Sequence, residues 1–394
     1  MGILNEAKDL QSQLVADRRY LHKNAEIGFE LPKTTEYIQR RLRVLGLSPQ
    51  PCGRAGIVAE IGKGQKCFLL RADMDALPIR ERSGEPFAAK NGHMHACGHD
   101  MHAAMLLGAA AILKKHESEL NGRLRLLFQP AEEILEGAQD CVNSGVLDGV
   151  GGAMMLHVLP IAEYDVGTLI VSDAGVSAPA ADFFDVKVQG KGCHGSSPWQ
   201  GVDALLIGAR VVEGVLAVAA RELSPFSGAT LTFGRFVAGE ADNALAEKAL
   251  LSGTLRALDE KTRAYYKDRL ETIAKGIART MKGRARVVYK SGCPCLNNDE
   301  GLAKALYEAC LVGLGEKKVL SASQLPKGGV GGSEDFAYIA QRVPSIMAGL
   351  CAGVKKNRQP LHSPSLALNE ACMPYGVAAF CLMALCPERY SKKL

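Results

Sequence analysis

Strand-like and helical segments alternate along the first half of the chain. Apolar segments typical of buried strands occupy residues 66–70, 123–128 and 152–156, and a strongly helical segment occupies residues 103–115. This alternation is typical of an α/β domain built on a largely parallel sheet. In such sheets, functional sites lie beyond the carboxyl ends of the strands. The pattern therefore predicts both the fold class and the edge of the sheet at which function belongs.

Residues that can carry chemistry follow these strand-like segments. They are Asp75, the pair Glu132 and Glu133, and His157. A carboxylate beside an apolar strand is costly to bury unless a cation meets it. Asp75 has an alternative role as a strand-end cap, and the Glu pair as the acidic start of a helix after Pro130. Their shared position at one sheet edge favours a common site.

A histidine-rich stretch occupies residues 92–102. It holds four of the nine histidines, together with a cysteine and an aspartate. Imidazole, thiolate and carboxylate are the groups that bind first-row divalent metals. Cys97 and His99 are two residues apart, so in an extended segment their side chains would point to the same side. Gly98 allows a tight turn between them. The alternative is a surface loop that happens to be rich in histidine.

A second pattern begins near residue 182. The predicted strands are 183–189, 229–236, 246–255 and 284–290, with helices at 202–222 and 260–281. This β-α-β-β-α-β order is that of the split ferredoxin-like unit. The α/β pattern surrounds it, with further helices predicted at 3–24, 34–45, 301–312 and 370–385 and further strands at 57–61 and 345–350. We therefore predict a discontinuous first domain (1–181 and 292–394) and a second domain (182–291) inserted into it.

Composition excludes several classes of function. With 47% apolar and 23% charged residues and a net charge of +5, the 394-residue chain resembles an ordinary globular protein. It has no basic block that would indicate nucleic acid and no apolar run long enough to span a membrane. The polar N-terminus lacks a signal peptide, so we expect a cytoplasmic protein whose twelve cysteines are reduced. Cys293 and Cys295 form either a redox or metal pair or, as we favour, two thiols at a segment boundary.

Eight short segments match a known family in order along nearly the whole chain. They are RYLH at 19–22, RADMDALP at 71–78, HACGHD at 95–100, QPAEE at 129–133, LH at 156–157, HGSSP at 194–198, GSEDF at 332–336 and LHSP at 361–364. On these segments the chain resembles the M20 metallopeptidases and amidohydrolases. The similarity is to the branch that contains aminoacylases, hippurate hydrolase and auxin-conjugate hydrolases.

The resemblance implies a site for two divalent metal ions per subunit. Its ligands would be Cys97, His99, Glu133, His157 and His362. Cys97 would bridge the ions, which leaves positions open for water and substrate. Such a mixed donor set suits Zn²⁺, Mn²⁺, Co²⁺ or Ni²⁺.

The resemblance also assigns catalytic and substrate-binding roles. Glu132 would be the general base, and Asp75 would orient a ligand or that base. The discontinuous domain would be catalytic and the inserted domain (182–291) would be a lid or dimerisation domain. Its His194 would act in the active site of the partner subunit of a homodimer, as a donor to the oxyanion. Asn243 and Arg256 would bind the substrate, with Arg256 as a bidentate clamp for a carboxylate. The alternative for Arg256 is a solvated residue at a strand end.

The implied activity is hydrolysis of N-acyl amino acids, such as hippurate, by a metal-activated water. The substrate would be a small molecule, with neither nucleic acid nor membrane as partner. A dipeptidase or carboxypeptidase of the same family is the close alternative. A non-catalytic metal-stabilised binding protein is disfavoured, because a structural metal has no need of a free base such as Glu132. Glycines at 328–332 resemble a phosphate loop but lack the following Lys-Ser/Thr, so we predict a loop lining the substrate site.

Overall fold

The structure, a computed structural model, describes residues 2–325 and 332–386. Most of the glycine-rich segment 328–332 therefore lies outside the described residues. The chain forms two compact units. The first comprises the described residues up to 177, 297–325 and 335–386, and the second comprises 178–296 with a short stretch ending at Glu334. The boundaries predicted from sequence, 182 and 291, lie inside those of the second unit.

The described residues form the following elements. The strands are β1 (Gln50–Cys52), β2 (Gly56–Gly62), β3 (Cys67–Asp73), β4 (Arg123–Gln129), β5 (Val150–Leu159), β6 (Leu169–Val171), β7 (Gly175–Ala178), β8 (Ala180–Gln189), β9 (Thr230–Ala238), β10 (Lys248–Ala257), β11 (Arg284–Cys293), β12 (Leu296–Asn298), β13 (Val319–Ser321) and β14 (Ser345–Cys351). The helices are α1 (Ile3–Asp9), α2 (Gln11–Lys23), α3 (Pro32–Val44), α4 (His99–Lys115), α5 (Gly137–Asn143), α6 (Ala204–Arg221), α7 (Glu260–Thr280), α8 (Glu300–Leu314), α9 (Ala337–Ala340) and α10 (Met373–Leu385).

The first unit is built on an eight-stranded sheet of order β1-β2-β4-β3-β5-β14-β6-β13. Its four central strands, β4, β3, β5 and β14, are parallel to one another. β1 and β2 run antiparallel to their neighbours, and β6 runs antiparallel to β14 but parallel to β13, so both flanks of the sheet are mixed. The predicted largely parallel sheet is confirmed at its centre, where every residue of β3 is buried, as expected for a strand covered on both faces.

The helices of the first unit cover this sheet. α4 and α10 pack against each other and are buried along most of their length, because they are apolar on nearly every face. The single helix predicted for residues 3–24 is wrong, since the chain bends at Leu10 between α1 and α2. The apolar periodicity continues across the bend and does not reveal it. Among the described residues, no helix is both long and apolar enough to cross a membrane.

The second unit has the predicted ferredoxin-like topology. Its strands form an antiparallel sheet of order β11-β8-β10-β9, and its helices are α6 and α7. Alternate residues of β8, namely Phe184, Val186 and Val188, pack into a core with apolar residues of both helices. The residues between them point to the other face of the sheet, which is polar and carries no helix of this unit.

Candidate metal centre

The five predicted metal ligands lie in the first unit, at or beyond the carboxyl ends of its central strands and at the start of α4. Asp75 follows β3, the Glu pair follows β4, His157 lies near the end of β5, and His362 follows β14. Parallel strands place these ends along one edge of the sheet. Residues separated by nearly the full length of the chain therefore meet at one point.

The segment that holds Cys97 and His99 is a tight turn into a helix. Gly98 adopts a left-handed conformation (φ 85°), and α4 begins directly after it at His99. The tight turn that Gly98 allows is therefore present, the segment is not extended, and the two side chains still converge. Gly98 is required here for a second reason. A Cβ at this position would clash with Val158 and lie 3.0 Å from Cδ1 of Leu368.

The side-chain atoms of the five predicted ligands approach one another closely. The Cys97 Sγ lies 3.4 Å from Nε2 of His157. The two carboxylate oxygens of Glu133 lie 3.8 Å from Nε2 of His99 and 3.5 Å from Nε2 of His362. In overlapping groups of three, such donor atoms fall within 4.8 Å of one another. The structure therefore brings all five predicted ligands together.

Backbone carbonyls fix the tautomers of two of these histidines. His99 Nδ1 lies 2.9 Å from the carbonyl oxygen of Asp75, and His157 Nδ1 lies 2.7 Å from that of Val158. A carbonyl only accepts hydrogen bonds, so each Nδ1 carries a proton and Nε2 is the ring nitrogen left for a metal. Burial lowers the pKa of His157 to about 3, which keeps the imidazole neutral at pH 7. Metal-binding histidines are held in this way in metalloproteins.

The electrostatics of the cluster favour a positive charge at its centre. His99 Nε2 is buried and has no hydrogen-bond partner within the described part of the chain. Burial alone would lower the pKa of His99, but the charge of Asp73 and the bond to Asp75 raise it well above its ordinary value. Burial also raises the pKa of the Cys97 thiol, so a thiolate there requires a nearby cation. Thiolate, imidazole and carboxylate together fit divalent transition metals.

The two adjacent glutamates share one anchor but have different neighbours. The Asp75 carboxylate accepts hydrogen bonds from the backbone N–H groups of Glu132 (2.9 Å) and Glu133 (3.3 Å). Glu133 lies near the predicted ligands His99 and His362, and a carboxylate oxygen of Glu132 lies 3.9 Å from Nε2 of His99. α5 begins later, at Gly137, so the alternative in which the pair is simply the start of a helix is wrong.

Backbone strain concentrates at this site. Four non-glycine residues among those described have positive φ, and three of them are Ala131 (φ 56°), Leu135 (φ 58°) and His362 (φ 65°). The first two flank the Glu pair, and the third is a predicted ligand. Left-handed conformations of such residues persist only where the surrounding structure enforces them, and they gather at functional sites. For His362, a hydrogen bond from its N–H to the Ala96 carbonyl (2.8 Å) helps to hold the left-handed conformation.

A buried ionic network that the sequence did not predict lies behind the cluster. Arg71 is fully buried and donates to Asp73 (2.7 Å), Asp335 (2.9 Å) and Gln129 (2.9 Å). Asp335 also accepts from the N–H of Ala138 near the start of α5. The network thus joins β3, β4 and the turn that carries the Glu pair. Its only signal in the sequence is the presence of these residues in the family segments.

His102 extends this network, and both of its ring nitrogens have hydrogen-bond partners. Its Nδ1 bonds Asp73 Oδ1 at 2.6 Å, and its Nε2 accepts from the N–H of Val158 at 2.9 Å. The second bond fixes the strand end beside His157. The three-residue spacing of His99 and His102 places both on one face of α4, a signal that depends on knowing where the helix begins.

His194 and Asn243 lie next to each other in the second unit. Gly195 donates its N–H to the Asn243 carbonyl oxygen at 2.7 Å. The N–H of Ser196 donates to His194 Nδ1 at 3.2 Å, and the Ser196 hydroxyl lies 2.7 Å from the same atom. Because Nδ1 accepts, the proton of the neutral ring is on Nε2, and the side chain is exposed. His194 is therefore oriented as a hydrogen-bond donor.

Arg256 and the CxC pair lie elsewhere in the second unit. Arg256 stacks over the Phe183 ring at 5.5 Å and donates to the Ser333 hydroxyl at 2.5 Å, so it is not simply a solvated strand-end residue. Cys293 and Cys295 are both buried free thiols. Neither belongs to a candidate group of metal ligands within the described residues.

Comparison with known proteins agrees with this geometry and with the family resemblance. The profile of peptidase family M20/M25/M40 matches residues 69–385. The chain is 35% identical to N-acetyl-L-cysteine deacetylase of Bacillus subtilis, over 86% of this chain and 80% of that protein. It is 37% identical to N-acyl-L-amino acid amidohydrolase of Geobacillus stearothermophilus, over 74% of this chain and 80% of that protein.

A solved structure extends the agreement to three dimensions. The Bacillus subtilis YXEP protein, described as a dinuclear metal binding peptidase from the M20 family, superimposes with a TM-score of 0.80. It is 29% identical in sequence, and the match covers 96% of this chain and 98% of that one. On the sequence profile and on these relatives, the chain belongs to peptidase family M20/M25/M40.

Proposed function

We propose that the protein is a metal-dependent amidohydrolase that cleaves N-acyl amino acids bearing a free carboxylate. The observation that carries this proposal is a second carboxylate, Glu132, beside a cluster of five metal-ligand side chains. A purely structural metal site is closed and has no need of a base at its edge. The names of the Bacillus and Geobacillus relatives support the same substrate class.

Different residues of the chain would hold the metal ions, transfer protons and stabilise charge. Cys97, His99, Glu133, His157 and His362 would hold two divalent ions, of which Zn²⁺, Mn²⁺, Co²⁺ and Ni²⁺ suit the donors. When bound, the ions supply Lewis acidity at the acyl carbonyl and lower the pKa of water.

The remaining residues move protons and stabilise charge. Glu132 takes a proton from the attacking water and delivers it to the leaving amine nitrogen. The Asp75 carboxylate positions Glu132 by accepting a hydrogen bond from the backbone N–H of Glu132. The backbone carbonyl of Asp75 fixes the tautomer of His99. His194, with its proton on Nε2, donates to the oxyanion that forms on the acyl oxygen. Asn243 and Arg256 bind the substrate.

A peptidase that cleaves dipeptides or C-terminal residues is the second candidate, supported by the description of the YXEP structure as a peptidase. The two candidates differ in whether the acyl side carries a free amine. N-acetyl-leucine and glycyl-leucine are a matched pair, because they differ only by that amine.

A comparison of kcat/KM for this pair tests the proposed function. We expect kcat/KM for N-acetyl-leucine to exceed that for glycyl-leucine by at least about tenfold, the effect of about 1.4 kcal/mol in transition-state binding. The Glu132→Gln variant serves as the control for contaminating activity. A preference for glycyl-leucine would instead establish the peptidase.

We also propose that the second unit, as a lid and dimerisation domain, joins two chains into a homodimer. β9 is an edge strand of its sheet, and Phe236 and Val237 of this strand are exposed. Leu205, Leu206 and Leu216 of α6 are exposed as well, and α6 packs against β9. Native proteins cover the unpaired edge of a sheet when exposed apolar side chains lie beside it. A second copy would cover it by continuing the sheet.

The length of β10 supports a catalytic role for His194 in the partner subunit. His194 forms a β-bridge with Ala244, before the start of β10, whereas Arg256 lies at its far end. Lys248 and Arg256 are separated by eight residues of strand, or about 26 Å. A substrate the size of an acyl amino acid cannot reach both ends. If Arg256 and His194 serve one substrate, they therefore belong to different chains.

A cytoplasmic location completes the proposal. It is supported by the twelve cysteines, each of which is a free thiol. Proteins rich in unpaired buried thiols are typical of reducing compartments.

A further inference from the structure

A recess of about 1490 Å³ lies in the second unit, where His194 and Asn243 are found. Its walls come from the loops after β8 and before β10, together with the adjoining ends of the four strands. The strand residues that point into it belong to the face of the sheet opposite α6 and α7. The recess is therefore lined by residues of this unit alone.

Five cationic side chains line this recess. They are Lys187, Lys191, Lys248, Arg284 and Arg286, and all are exposed. The strand register places Arg286 directly opposite Lys187, and it places Gln189 between Arg284 and Lys248. Adjacent strands are about 4.8 Å apart, so these cations form a compact array.

None of the five has a carboxylate within ion-pair distance among the residues that the structure describes. Asp185, which Lys187 stabilises at longer range, is already paired with Lys290 at 2.9 Å. Elsewhere in the same unit, several cations are paired with acids. The pairs are Arg263 and Lys267 with Asp182, Arg269 with Glu222, Arg210 with Glu213, and Lys275 with Glu271.

Like charges placed directly across a sheet destabilise it. The recess contains two acids, Glu240 and Glu247, against five cations, so its charge is not balanced from within. The Glu247 carboxylate accepts a hydrogen bond from the neutral Gln189 side-chain amide, at 3.2 Å. The repulsion among these five cations disfavours folding of the unit. Their concentrated positive charge is, however, what the binding of an anionic ligand requires.

We infer that the substrate of this enzyme carries a second negative charge in addition to its α-carboxylate, and that this recess binds it. The inference rests on the proposed function, because His194 and Asn243 share the recess with the cations. Arg256 of the same chain lies about 26 Å from Lys248 along β10, so the Arg256 that binds the α-carboxylate of this substrate belongs to the other subunit. The substrate class is thus a dianionic N-acyl amino acid, acidic in its acyl group or in its side chain.

Matched substrates that differ only in charge test the inference. N-acetyl-glutamate is compared with N-acetyl-glutamine, and N-succinyl-leucine with N-succinamoyl-leucine, so that either end of the substrate is tested. We expect kcat/KM for at least one dianionic member to exceed that of its neutral match by tenfold or more at low ionic strength. The ratio should fall as salt is raised to about 0.5 M, where charges are screened within about 4 Å.

Variants then assign the preference to the recess. Arg284→Gln and Arg286→Gln, separately and together, should reduce the ratio severalfold, with the largest loss in the double variant. Lys261→Gln is the matched control, because Lys261 is an exposed cation on α7 of the same unit. It should leave the ratio unchanged. Thermal unfolding verifies that each variant is folded.

Three results would overturn the inference in distinguishable ways. Ratios near one in the parent enzyme would show that substrate charge is not recognised. A high ratio that persists in the double variant would place recognition elsewhere. If the double variant instead weakens dimerisation and leaves the ratio intact, the recess is a contact between subunits. Failure to hydrolyse either member of both pairs, with metal bound, would overturn the proposed function itself.

Discussion

At the scale of single residues, Glu132 and Glu133 are adjacent in sequence and share the anchor Asp75, yet their carboxylates meet different neighbours. We predict that Glu132→Gln retains its metal while kcat falls by at least about 10²-fold, the usual effect of losing an acid–base group. Glu133→Gln should bind metal more weakly, and excess metal should restore part of its activity. Metal content after dialysis, with kcat at rising metal concentration, measures both. The opposite pattern would reverse the two roles.

His22 is a residue whose charge should make stability depend on pH. Burial lowers its pKa, but the charge of Asp100 and the hydrogen bonds to Asp100 and Glu81 raise it from 6.5 to about 9. A raised pKa in the folded state stabilises the protein fully below pH 6.5, and this stabilisation is lost as the pH rises through about 9. His22→Gln should therefore destabilise the protein at pH 6 by up to about 3 kcal/mol, and by much less at pH 10.

Urea unfolding at pH 6, 8 and 10 measures this difference. His116→Gln is the control, because His116 also has a raised pKa, from Glu119 and Glu6, but is partly exposed. Its effect should be smaller at every pH. A destabilisation by His22→Gln that is equal at pH 6 and pH 10 would show that the side chain contributes by packing and not by charge.

The buried network shows what single residues do not reveal in a sequence. Arg71 and Asp335 are separated by more than half of the chain, yet they form an ion pair at 2.9 Å. Neither has a periodicity or spacing that predicts the other. The metal ligands were predicted because their chemistry is distinctive and they match family segments. A buried Arg with carboxylates behind the site becomes visible only when the strands are assembled.

At the scale of elements, the turn between Cys97 and His99 can be tested with two glycines. Gly98 (φ 85°) and Gly92 (φ 86°) have the same backbone conformation. A Cβ at Gly92 meets no atom within 4 Å, whereas at Gly98 it clashes with Val158. Gly92→Ala should cost about 1–2 kcal/mol, from backbone strain alone. Gly98→Ala should cost about 1–3 kcal/mol more and reduce metal affinity, because the β-branched Val158 side chain is stiff.

Urea unfolding and metal titration of the two variants provide the measurement. Equal destabilisation by both substitutions would show that the contact at Gly98 is relieved at little cost. Unchanged metal affinity in Gly98→Ala would show that this turn does not set the ligand geometry.

Most long elements were predictable from sequence, and short ones were not. The ferredoxin-like order followed from the sequence patterns of its strands and helices, and α10 followed from a long apolar stretch. β1, β6, β12 and β13 each have three residues, too few to show a period, and they exist only because neighbouring strands pair with them. The predicted start of α4, at residue 103, lies four residues after the observed start at His99. The reason is that His99 and Asp100 were interpreted as metal-binding residues and not as part of a first helical turn.

At the scale of the whole molecule, the proposal that His194 acts across a dimer predicts complementation. His194→Ala and Glu132→Gln homodimers should each be nearly inactive, because every active site lacks one group. A mixed dimer contains one site with both groups intact and should recover up to about half of the specific activity per dimer, since catalytic units act as wholes. Differently tagged chains, co-expressed and purified through both tags, give the mixed dimer. If verified mixed dimers remain inactive, His194 acts within its own chain or not at all.

Metal removal and reloading is the most direct test of a catalytic metal centre. The ligands are spread from Cys97 to His362 over a unit with its own large core, so the chelated protein should keep its fold, as judged by circular dichroism. We predict that it loses hydrolysis of N-acetyl amino acids, and that Zn²⁺ or Mn²⁺ restores it with a plateau near two equivalents per chain. Full activity in protein shown by elemental analysis to be free of metal would contradict this mechanism.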